Sequence, residues 1–187
     1  MLINELIESA SHDMLNPELN FKIAKEYERI NQTASAVSFY LRAAEYGYAT
    51  HPLIVYTSLL KMSLCFEDQK DRNWNVSNYI LQAVAHMPTR PEGYFLMSRF
   101  HEKASNWQEC YTMAQTGLAF SNQRLEPLPA DVLYAGEYVL LFEKAISSWW
   151  IGRRDEAKVL LNNLLSTQTM KPEYINACIS NLKTIGA

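Results

Sequence analysis

His101 and Glu102 open like the helix of a zinc hydrolase, in which a histidine ligand precedes a general-base glutamate and a second histidine follows one turn later. Here Ser105 occupies the second ligand position, so the pair cannot close a metal site. The other histidines, His12, His51 and His86, are scattered. A metal-dependent nucleotide-sugar transferase needs an Asp-x-Asp pair to hold a cation and a diphosphate. The aspartates are Asp13, Asp68, Asp71, Asp131 and Asp155, and no two have that spacing. The six glycines form neither a dinucleotide fingerprint nor a phosphate loop, and no nucleophile elbow is present. Cys65, Cys110 and Cys178 are odd in number and lack C-x-x-C spacing, which fits buried reduced thiols in a cytoplasmic protein. No catalytic residue, metal or cofactor is therefore expected.

The bulk properties exclude further classes. With 17 basic against 20 acidic residues the net charge is −3, without the basic excess that phosphate contacts require, so no nucleic-acid partner is expected. The N-terminal stretch Met1 to Glu8 has no basic n-region and no long apolar core, so it does not read as a signal peptide. Apolar runs such as Tyr138 to Phe142 are far shorter than the roughly 20 residues a membrane-spanning helix needs, and no membrane insertion is expected.

Prolines reveal the organisation. Pro17, Pro52, Pro91, Pro129 and Pro172 follow one another at intervals of 35, 39, 38 and 43 residues, the period of stacked helix pairs. Three of them precede glutamate, at Glu18, Glu92 and Glu173. Proline suits the first helical position, and glutamate beside it meets the positive end of the helix dipole. Asn16 is placed to cap the first of these helices. Between prolines the apolar residues have helical period. Leu19, Ile23, Ala24, Tyr27 and Ile30 share one face, and after Asn31-Gln32-Thr33 a second helix carries Ala36, Val37, Tyr40, Ala43 and Ala44 toward a C-cap at Gly47. Further helices are predicted over about 53–65, 76–85, 132–150, 155–165 and 172–184, with a polar loop over 67–73. No β-branched alternation is sustained, so no sheet is expected.

These residues resemble a tetratricopeptide repeat (TPR). The first repeat reads Asn20, Ile23-Ala24, Tyr27, Ala36, Tyr40, Ala43, departing from the pattern at polar Asn20. The third reads Tyr94, Met97-Ser98, His101, Cys110, Ala114, Gly117, and the fourth keeps Gly152, Ala157, Leu161 and Leu164. The resemblance implies an all-α, right-handed solenoid of antiparallel helix pairs within one domain, 1–187. Its repeats would lie at about 16–48, 52–87, 90–120 and 129–166, with a capping helix at 171–185. A narrower similarity links 88–92, 94–118 and 147–152 to the helical-repeat regions attached to some bacterial and viral glycosyltransferases.

The resemblance implies a non-catalytic scaffold whose first helices line a concave face for a protein or peptide. Phe21, Tyr56 and Phe95 are in register there, either as an aromatic ladder or packed between repeats. Lys25 and Arg99 recur in phase, followed by Arg29 and Lys103, either as carboxylate-binding cations or as a solvated mixed-charge face. The seven residues form the expected partner-binding face. Phe21 and Lys25 stand where chaperone-tail-binding members carry a clamp cation and an Asn, so that clamp is not expected. Trp149 and Trp150 point about 100° apart on a helix, which predicts one inside and one at a groove or inter-chain contact. Two other readings are an accessory region of a glycosyltransferase, partnering its catalytic domain, and a subunit that self-associates as an oligomer.

Overall fold

A computed structural model describes residues 3–67, 69, 71–166 and 170–186. Asp68 and Lys70 of the expected 67–73 loop lie outside them. The described residues form ten helices and no strand: α1 (Ile3–His12), α2 (Pro17–Arg29), α3 (Thr33–Gly47), α4 (Pro52–Glu67), α5 (Asn73–His86), α6 (Pro91–Lys103), α7 (Trp107–Leu118), α8 (Glu137–Trp150), α9 (Arg154–Leu165) and α10 (Pro172–Thr184). The sequence reading treats 1–187 as one array. The structure groups it into two compact units, one of residues 1–89 with 125–132, the other of residues 90–124 with 133–187.

Local chemistry sets the boundaries. Proline is the first residue of α2, α4, α6 and α10. The Asn16 side chain accepts from the Leu19 N–H at 3.0 Å, capping α2 as its sequence predicts. Three intra-pair turns share one geometry. Asn31, Ser105 and Gly152 take positive φ values of 58°, 57° and 86° just after α2, α6 and α8. The next N–H reaches back across each turn: Gln32 to the Tyr27 carbonyl at 2.8 Å, Asn106 to His101 at 2.9 Å, and Arg153 to Ser148 at 2.9 Å. These are Schellman closures that satisfy the last carbonyls of the first helix.

Within the first unit, α2 pairs with α3 and α4 with α5, and α3 packs on α4. Ile23, Ala24, Ala36, Tyr40, Ala43, Tyr56 and Leu60 are fully buried. Asn20, the residue that departs from the repeat pattern, is also buried, and its amide donates to the Met14 and Asn16 carbonyls at 3.0 and 2.8 Å. A buried amide is tolerable because both bonds are made. α1 covers this end, with Leu6 against Ile23 and the half-buried Tyr27 and Phe39. Gly47 ends α3 without the left-handed conformation expected of a C-cap. It allows close approach instead, since an added Cβ would lie 3.2 Å from Pro17 Cβ.

In the second unit α6 pairs with α7 and α8 with α9, while α10 packs on α9 and α8. Cys110, Ala114, Leu140, Ala145, Ala157 and Cys178 are fully buried, and Met97, Leu161 and Leu164 nearly so. α8 begins at Glu137, five residues later than the pattern predicts. Leu133 at φ 68° and Gly136 at φ 117° interrupt the backbone there, and buried Val132 belongs to the first unit.

Candidate functional site

The first helices of the pairs carry the expected binding residues, and the structure divides them. In the first unit Phe21 and Tyr56 are buried and present no aromatic ladder. The fifth residue of the first helix turns toward its own partner helix, where Phe21 meets Tyr40 edge-on at 5.5 Å. Lys25 lies over the Phe21 ring and donates to the Pro129 carbonyl at 3.3 Å. Arg29 pairs with Glu26 at 2.9 Å. Lys61, unremarked in the sequence, binds Glu28 at 2.5 Å and the Asp131 carbonyl at 3.3 Å, while Tyr40 donates to Glu28 at 2.6 Å. Burial first, then the Glu28 carboxylate, pushes the Tyr40 phenol far up and keeps it a donor. The chain's own 129–131 segment thus lies on the face formed by α2 and α4.

The face of the second unit is open. α6, α8 and α10 enclose a pocket of about 430 Å³. Two predicted residues meet there. Phe95, 1% exposed, contributes part of its wall, and Arg99 lies over its ring at 5.7 Å, repeating the Lys25–Phe21 arrangement. Lys103 is exposed in the last turn of α6 and is not part of the lining. The sequence does not single out Phe142, Glu143 or Tyr174, and it marks Glu102 only as the neighbour of His101 and Lys103. Phe142 and Tyr174 stand perpendicular with ring centroids 5.1 Å apart.

Glu143 dominates the electrostatics. It is 6% exposed on the buried side of α8, one turn from Val139, Leu140 and Ser147. Its carboxyl has one hydrogen-bond contact among the described residues, a long 3.9 Å approach from the Cys110 thiol. Burial chiefly, with the neighbouring Glu102 carboxylate, pushes its pKa up to about 8, while Arg99 pulls the other way. Burial and Glu143 in turn push the Cys110 thiol up to about 12, so it stays neutral. The lining offers charged and hydrogen-bonding groups of both signs beneath aromatic walls, with no nucleophile–base pair among its described residues. Among the described residues, no group of three or more His, Cys, Asp or Glu could hold a metal ion, and no helix is long and apolar enough to cross a membrane.

Trp149 and Trp150 differ in exposure, but neither is buried inside as one was expected to be. Trp149 is partly buried with Arg154 over its ring, whereas Trp150 is 60% exposed and stacks on Trp107 at 5.3 Å. The segments behind the glycosyltransferase similarity have structural roles here. Pro91 opens α6, Arg90 and Glu92 form a buried ion pair at 2.6 Å, and Ser147 and Ser148 donate to backbone carbonyls within α8.

No protein-family model and no curated protein sequence matches this chain. Solved structures match it in fold. PilF of Pseudomonas aeruginosa superposes with a TM-score of 0.69 at 12% identity, over 95% of this chain and 72% of its own. TTC0263, a TPR protein of Thermus thermophilus, gives 0.60 at 13% identity, over 97% and 89%. YrrB, described as a TPR protein with an unusual peptide-binding site, gives 0.50 at 9% identity, over 94% and 98%. The architecture is therefore all-α and TPR-like.

Proposed function

We propose that this protein is a non-catalytic TPR-like scaffold that holds an extended segment of a protein partner in the second unit's pocket. The supporting observation is the pocket itself: about 430 Å³, open, with a buried carboxyl, a second carboxyl and a guanidinium beneath aromatic walls. A peptide presents backbone donors and acceptors with a side chain every few ångströms, and a concave apolar site with a few polar groups suits it. The catalytic domain of a glycosyltransferase would be one such partner.

The test is selection of random 12-residue peptides on the immobilised protein, repeated on Ile146→Trp. Ile146 lines the pocket, and the larger side chain fills it. Enriched peptides are expected to bind this variant about tenfold or more weakly, the loss of one good contact. Trp74→Ala, at an exposed position of the first unit, should leave them unaffected. No enrichment, or equal binding to Ile146→Trp, would reject the reading.

A further inference from the structure

Glu143 carries more than packing requires. A carboxyl on the buried side of a helix needs strong partners, and this one has a thiol at 3.9 Å. It is flanked by Arg99 and Glu102 from α6, Cys110 from α7 and Tyr174 from α10, and it shares the pocket with Lys171, just before α10, and Glu173. Three carboxyls thus surround two cations. With a proton on Glu143 the set is balanced, and with Glu143 ionised it lacks one positive charge. Toward the floor the imbalance is sharper, because Glu143 is buried and Glu102 and Arg99 are half-buried, while Lys171 and Glu173 are exposed. Glu173 sits in the first turn of α10, where it answers that helix's dipole. Phe142 and Tyr174 add π-surface, which attracts a cation and packs against a methylene stem.

We propose that this pocket is a lysine subsite: it takes a lysine side chain of the partner protein, seating the ammonium on the Glu143 and Glu102 carboxylates with its stem along Phe142 and Tyr174. The proposal rests on the peptide-binding reading above. The incoming ammonium supplies the missing charge, so Glu143 gives up its proton to solvent as the lysine enters. Three carboxylates then face three cations. Binding consequently strengthens as pH rises toward and through the Glu143 pKa, and it levels off above. An anion seated on Arg99 and Lys171 would show the opposite dependence.

The probe is Nα-acetyl-lysine N-methylamide, titrated into the whole protein and followed by methyl NMR at Ile146. From the ionised fractions of a group with a pKa of about 8, binding should be about 25-fold tighter at pH 8.5 than at pH 6.5. Glu143→Gln should abolish this pH dependence, and Glu102→Gln should weaken binding and move the dependence to lower pH, because the Glu102 carboxylate helps raise the Glu143 pKa. Binding of Nα-acetyl-norleucine N-methylamide with equal strength would overturn the proposal, as would acetate competing for the pocket or affinity rising toward pH 6.5. Alanine N-methylamide, with its free α-amine, binding as well as the lysine probe would assign the site to chain N-termini instead. Should display yield pocket-dependent peptides while the lysine probe shows no selectivity, the subsite fails and the scaffold reading stands. Selective probe binding without any enriched peptide leaves the reverse.

Discussion

Replacing Glu143 with glutamine should stabilise the second unit, by an amount that grows with pH. Glutamine keeps the shape and removes the ionisation. The folded-state pKa, about 8, lies above the ordinary 4.5, so the unfolded chain releases the proton more readily than the folded one. Wild-type stability from this group is therefore intact below about pH 4.5 and declines as pH rises through 8. Linkage over that interval gives a cost of about 1 kcal/mol at pH 5, about 3 at pH 7 and about 5 above pH 9, relative to a group that never ionises. Because a domain's whole stability is roughly 5–15 kcal/mol, the effect is large enough to measure. The assay is urea unfolding from pH 5 to pH 9, read by tryptophan fluorescence in a Trp74→Phe background. That substitution leaves Trp107, Trp149 and Trp150, all in the second unit, as reporters. The stability gap between Glu143→Gln and its parent should widen by about 2–3 kcal/mol from pH 5 to pH 7. Any constant difference from the amide's own hydrogen bonding cancels in that comparison. A gap that stays flat across the range would refute the assignment, because Glu143 would then ionise as freely in the folded protein as in the unfolded chain.

Other substitutions test the packing. Gly117→Ala adds a Cβ 2.9 Å from both Leu140 Cδ2 and Tyr94 Cβ. Alanine's helix preference, about 1 kcal/mol, offsets only part of an overpacking cost of roughly 1–3 kcal/mol, so thermal unfolding should show a net loss. Ser105→Gly relieves the left-handed backbone at φ 57° and should raise stability by about 0.5–1 kcal/mol in denaturant titration. Tyr40→Phe removes the 2.6 Å bond to Glu28, which retains Lys61, and should cost about 1.5–2 kcal/mol by urea unfolding. Arg90→Met removes the 2.6 Å ion pair to the buried Glu92 carboxylate and should cost about 3–5 kcal/mol, and adding Glu92→Gln should recover much of the loss in the same assay.

What the sequence disclosed and what it hid follow from the range of the forces involved. Helix starts depend on neighbours a few residues away, so Asn16, Pro17, Pro91 and Pro172 mark α2, α6 and α10 without reference to the rest of the chain. The repeat period follows from those marks, and with it the TPR-like architecture. Gly47 misled because its small size serves a contact with Pro17 thirty residues earlier, which no local rule contains. The start of α8 departs from the pattern for a similar reason, since buried Val132 belongs to the first unit and Leu133 and Gly136 take positive φ before the helix begins. In-phase recurrence located Lys25 and Arg99 on corresponding turns, and both lie over the aromatic ring four residues before them. It could not say that one face carries the chain's own 129–131 segment while the other stays open, because that depends on a loop more than a hundred residues from Lys25.

The most informative residue was nevertheless visible. In Glu137 to Trp150, Val139, Leu140, Glu143 and Ser147 recur at the three- and four-residue spacing of a buried stripe. A glutamate there is an anomaly of position, since its type is unremarkable. Searching for pairs of catalytic residues passes over it because it has no sequence-local companion. Its companions, Arg99 and Glu102, sit about forty residues earlier on another helix. A helix pair can bury a carboxyl at that point only if the ion is neutralised by a proton or by a partner, and the pocket leaves room for either. The same residue therefore weakens the fold as it ionises and strengthens binding as it ionises. The two effects have opposite signs in pH, and Glu143→Gln should remove both together.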